Sequence, residues 1–151
     1  ITVTKDSTTT IDFQLSEGSQ VCPAGLILES GHKDLALLRS YRDTILLQSD
    51  FGKQYVKSYY EHAGEMVKII MTNSSIRKKF IAAFQAVKPS LESIMAGNTL
   101  TLTKQQVAII HGLTNDLKPV ASLRLRKAIL QLEEDLTNKA VSKNFTVASL
   151  H

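Results

Sequence analysis

Few side chains in this sequence carry reactive groups: one cysteine, four histidines, a short acidic run and a few clustered cations. Cys22 could act as a nucleophile, take a covalent attachment, or pack as a small hydrophobe. Catalysis would need a base to form the thiolate, and His32 or His62 would have to supply it without any local motif joining them to Cys22. His32, His62, His111 and His151 fall at spacings unlike those of metal ligands, so neither a metal nor a cofactor is expected. Glu133-Glu134-Asp135 could be paired carboxylates but reads as a solvated helix face. No phosphate-cradling glycine loop, nucleophile elbow or HExxH occurs, and no residue is assigned a catalytic role.

The cations are more informative. Arg42 lies on the stripe Leu35–Leu38–Arg42–Leu46, where an apolar residue belongs. An unpaired buried guanidinium costs several kcal/mol, so it should be paired with Glu65, Asp43 or helix-end carbonyls. Arg39 and Asp43, four residues apart, suit an exposed pair. Arg77-Lys78-Lys79 is the densest basic run and a candidate anion contact. With a net charge of +4 spread along the 151 residues and no continuous basic stripe, nucleic acid is not an expected partner. Hydrophobic residues at 43% and charged residues at 21% argue for a packed globular domain. No apolar run approaches the roughly 18 residues of a membrane span.

Two periodicities divide the chain. Residues 1–15 alternate, and Thr8 to Leu15 reads as a strand with Ile11, Phe13 and Leu15 on one face. Residues 16–33 read as a linker and cysteine box, and from 34 to 142 the period is helical. Asp34 is the expected cap of a helix over 34–48, and Asp50 of one over 51–71 carrying Phe51, Tyr55, Tyr59, Met66 and Ile70. A third helix opens at Ser74 or Ser75 and should break or kink at Pro89, with a stop at Gly97-Asn98. Thr103 to Gln106 matches a capping box, and Pro119 suits the first turn of a last helix. The fold class expected is all-α, a compact antiparallel bundle of four or five helices with a short N-terminal β element and a tail over 143–151.

Between Cys22 and about Pro89 a longer pattern appears. Leu38-Arg39-Ser40-Tyr41-Arg42-Asp43 is followed by Leu46-Leu47, Gly52, Tyr55-Val56 and Tyr59-Tyr60. This resembles the CFI-box C-terminal domain found on many exported bacterial proteins, although Cys22-Pro23-Ala24-Gly25-Leu26-Ile27-Leu28 departs from that family's opening box. Residues 1–15 resemble the closing strands of a carboxypeptidase-regulatory-like β-sandwich, which suggests the C-terminal piece of a longer polypeptide. The resemblance implies a non-enzymatic interaction, attachment or processing module, extracellular or in the cell envelope. Its partner would be another protein or the upstream part of the same precursor, and self-association through residues 8–15 is a further expectation. A hydrolase or transferase using Cys22 is the leading alternative. A binder of anionic polymers or lipids through Arg77, Lys78 and Lys79 is the second.

Overall fold

The computed structural model describes residues 22–28, 32–99 and 102–137. The expected N-terminal strand and C-terminal tail lie outside the described residues. Within them the chain is helical: α1 (Pro23–Ile27), α2 (His32–Thr44), a 3-10 turn (Leu46–Gln48), α3 (Asp50–Glu61), α4 (Ala63–Thr72), α5 (Ser74–Met95), α6 (Lys104–Leu117) and α7 (Leu123–Thr137). No strand occurs among the described residues. None of the described helices is long and apolar enough to cross a membrane.

The boundaries follow local capping chemistry. Ser49, not Asp50, caps α3, its hydroxyl accepting the Gly52 N–H at 3.0 Å. Asn73 caps α5 in the same way through Ile76 N–H at 3.1 Å. At the end of α5, Gly97 at φ 90° accepts a left-handed turn. There Gly97 N–H bonds Ile94 and Asn98 N–H bonds Ser93, the paired bonds of a Schellman stop. The capping box opening α6 forms as expected, with Thr103 and Gln106 bonded reciprocally. Asp34 sits in the first turn of α2, where it is buried and ion-paired to Lys88 of α5 at 2.7 Å.

The described residues hold seven α-helices where four or five were expected, and three local expectations are corrected as well. The single helix over 51–71 divides at His62, which ends α3 and caps α4. The division serves a distant contact. Glu65, in the first turn of α4, takes the Ser122 N–H at 2.6 Å and its hydroxyl at 2.7 Å, while Ser122 itself accepts from Leu125 N–H at the start of α7. Those bonds outweigh the cost of burial and hold the Glu65 carboxyl below the usual carboxylate range. Pro119 stands in the α6–α7 link and Ser122 takes the capping place. Pro89 does not end α5, which runs through it. Proline inside a helix costs about 3 kcal/mol. Here Pro89 lies on an exposed side where water can serve the freed carbonyl, and Phe84, Leu91 and Ile94 anchor the helix on both sides of it.

Helix α5 is the spine. Ile76 and Ala83 join a core made with Ile69 and Ile70 of α4, Leu113 and Leu117 of α6, and Leu125 and Ile129 of α7. Phe84, Leu91 and Ile94 join a second core with Ala24, Leu28 and Tyr41, flanked by Leu37, Leu38, Ile45 and Leu46. Ile70 is fully buried, and a side chain of that size contributes about 2–3 kcal/mol by burial. The second core draws α1, α2 and the 3-10 turn against α5.

A tyrosine-lined cavity as the candidate functional site

Helix α3 brings its aromatic residues to one side by helical spacing. Phe51 and Tyr55 stand four apart with ring centroids at 5.0 Å, and Tyr59 meets Tyr60 edge-on at 5.4 Å. Gly52 lets α3 lie against the 3-10 turn, because a Cβ there would sit 2.1 Å from the Leu46 carbonyl oxygen. Helix α2 faces α3 with Leu35, Leu38, Arg39, Tyr41 and Arg42. Between them, floored by Phe80, Ala83, Phe84, Val87 and Leu91 of α5 and Ile110 and Leu113 of α6, is a partly open cavity of about 390 Å³. All four tyrosines of the chain line it, as do Cys22, Ala24, Leu46 and Val56.

Polar groups at its edge are committed in three places. Tyr59 Oη accepts the Ala24 N–H at 3.2 Å and lies 3.5 Å from Cys22 Sγ. Burial pushes the Tyr59 phenol well above its ordinary value, and the Cys22 contact adds to the shift. Arg42 donates Nη1–H to Tyr60 Oη at 2.6 Å and grips Asp43 through Nε and Nη2 at 2.7 and 3.1 Å. The hydrogen bond from Arg42 is the main reason that the Asp43 carboxyl titrates below the usual range. Arg42 is therefore paired as expected, by Asp43 rather than Glu65. Arg39 has no ion pair or hydrogen bond among the described residues, so the anticipated Arg39–Asp43 pair gives way to the shorter one. Tyr55 donates its hydroxyl to Asp135 of α7, and burial first, then that carboxylate, pushes its phenol up.

Tyr41 differs from the other three. Burial alone pushes its phenol up, and its hydroxyl has no hydrogen-bond partner among the described residues. No fully buried side-chain nitrogen or oxygen among the described residues lacks a partner. Tyr41 lines the cavity as well as packing in the second core.

Chemically the site can bind an apolar body and orient it with a few donors and acceptors. Phenols pushed upward stay protonated at neutral pH and are not bases. Among the described residues no histidine lines the cavity, and a tyrosine hydroxyl stands against Cys22. His62, at the α3–α4 junction, faces Glu65 electrostatically, while the His32 side chain and His151 lie outside the described residues. Among the described residues no three of His, Cys, Asp or Glu gather as a metal site requires. In the basic run, Arg77 is half-buried, Lys78 is exposed and Lys79 is paired to Asp116 of α6 at 2.6 Å.

The acidic run is not simply a solvated face. Glu133 is largely buried, accepts from Thr114 Oγ1, binds Lys118 Nζ with both oxygens at 2.9 Å, and lies 3.7 Å from His111 Nδ1. A sequence signal for this existed, since Glu133 follows Ile129 by four residues and so falls on the buried face of α7. The convergence of Cys22, Tyr41 and Tyr59 had no such signal, because it depends on how α1, α2 and α3 dock. No protein-family model, no curated protein and no solved structure matches this chain.

Proposed function

We propose that this chain is a non-enzymatic C-terminal interaction, attachment or processing module of an exported bacterial protein, belonging to the CFI-box group and working at the tyrosine-lined cavity. One observation carries the reading. Cys22, Leu38, Arg39, Tyr41, Arg42, Leu46, Tyr55, Val56, Tyr59 and Tyr60, all members of the pattern spread from Cys22 to Tyr60, line the same cavity. The setting of Cys22 supports binding, since the group within reach of its thiol is the Tyr59 hydroxyl at 3.5 Å. Placement outside the cell or in its envelope, and a partner that is a separate protein or the upstream part of the same precursor, follow from the resemblance.

The lone cysteine makes the test simple. Iodoacetamide modification followed by intact mass reports Cys22 alone. At neutral pH the folded protein should react more slowly than glutathione, and several-fold faster once denatured. A folded-state rate above that of glutathione at pH 7 would contradict the module and favour the cysteine enzyme.

A further inference from the structure

We propose that the cavity takes a monomeric amphiphile with an apolar chain and a single carboxylate, of the medium-chain fatty-acid class. This rests on the reading of the chain as a binding module and adds the ligand's chemistry to it.

Size is the first argument. Ligand pockets run from roughly 300 to 1,000 Å³, and an apolar cavity of about 150 Å³ already holds benzene. A space of about 390 Å³ walled by Leu, Val and Phe side chains is large enough for a medium-length acyl chain. Water gains little there, because the surface that the wall presents is almost wholly apolar.

Charge at the opening is the second. Arg42, Val56 and Tyr60 are shared between the cavity and a polar surface depression of about 540 Å³ that also contains Asp43, Leu47, Lys53, Lys57 and Glu61. The Arg42–Tyr60 pair thus stands where an apolar space meets a polar one. Across the rim and the depression there are four cations, Arg39, Arg42, Lys53 and Lys57, against three carboxylates, Asp43, Glu61 and the adjoining Asp50, which Lys53 reaches at 3.3 Å. Arg42 is engaged by Asp43, and Lys57 reaches Glu61 at 3.8 Å, whereas Arg39 is exposed, makes no hydrogen bond or ion pair among the described residues, and acts on Asp43 only through space. A chain seated in the cavity therefore places its head where positive charge is in excess, and Arg39 can meet a carboxylate with two parallel N–H bonds.

Isothermal titration of the whole chain with decanoate, decanol and decyltrimethylammonium tests this. Decanoate should bind saturably, decanol more weakly, and the cation weakest. Arg39→Ala should weaken decanoate about fivefold, the size of an exposed ion pair, and leave decanol unchanged. Val87→Phe, whose ring projects into the cavity and blocks an extended chain, should weaken binding of both at least tenfold. Ala83→Leu fills the same space from the next turn and serves if the first variant does not fold. No saturable binding, binding that survives a folded filling variant, or decanol matching decanoate would each overturn the proposal. So would co-sedimentation with phosphatidylglycerol vesicles by a chain that ignores monomeric decanoate. None of these outcomes bears on the alkylation rate of Cys22, so the ligand class and the module reading fail separately.

Discussion

Gly52→Ala should destabilise the protein by about 3–5 kcal/mol, enough to unfold a marginal domain. The added Cβ would lie 2.1 Å from the Leu46 oxygen and 2.7 Å from the Leu46 carbonyl carbon and Cα. All three are backbone atoms, so no side-chain rotation relieves the overlap. Relief requires α3 to move off the 3-10 turn, and that carries Tyr55, Tyr59 and Tyr60 away from α2. Thermal unfolding followed by circular dichroism at 222 nm measures the loss. A variant melting within a degree or two of the parent would mean that α3 does not approach the turn so closely. By contrast a Cβ at Gly64 or Gly112 meets nothing within 4 Å, so alanine there should be harmless or mildly stabilising.

Glu133→Gln should cost about 2–3 kcal/mol at pH 7, with a pH dependence that identifies the cause. The substitution leaves Lys118 without its carboxylate in a setting where the lysine side chain keeps only 26% of its exposure. Breaking a fully buried pair costs about 3–5 kcal/mol, and the residual exposure of Lys118 reduces that figure. Burial works against the Glu133 charge, but the bonds from Thr114 and Lys118 outweigh it and hold the carboxyl below the usual range. A folded-state value below the unfolded one contributes stability that is fully present above about pH 5 and is lost as the pH falls below about 4. The gap between parent and variant, measured by urea denaturation, should therefore be constant from pH 6 to 7.5 and close on acidification. A gap that does not change with pH would assign the loss to packing instead.

Much of the helical fold was legible because its signals are local. The capping box from Thr103 to Gln106 and the Gly97-Asn98 stop involve residues within five positions of one another, and both formed as read. The division at His62 was hidden because the apolar stripe Tyr55–Tyr59–Met66–Ile70 continues through it, while its purpose, the Glu65–Ser122 contact, spans 57 positions. Pro89 was expected to break or kink the helix, and the break failed to occur for a related reason. Its penalty is local and readable, but the burial of Phe84, Leu91 and Ile94 that outweighs it is tertiary.

The site was legible residue by residue but not as a place. Arg42 on an apolar stripe announced that it needed a partner, and Asp43 was among those considered. Tyr60, which takes the third of its bonds, was not. The tyrosines read as core or inter-helix residues, and three of them do find hydrogen-bonding partners. That they enclose space instead of filling it depends on helix separation, which no spacing in the sequence encodes.

Xenon uptake tests the cavity itself without assuming any ligand class, because xenon enters dry apolar space of this size. Under a few atmospheres of xenon, methyl carbon–proton spectra should shift for Leu38, Leu46, Val56, Val87, Leu91 and Leu113, which line the cavity. The exposed Leu26, Leu123 and Leu130 should stay in place. Saturable shifts confined to the first group are the result this account predicts. Absent shifts, or shifts centred on the other core at Ile70, Leu125 and Ile129, would show that the residues of the pattern from Cys22 to Tyr60 enclose no such space and would contradict it.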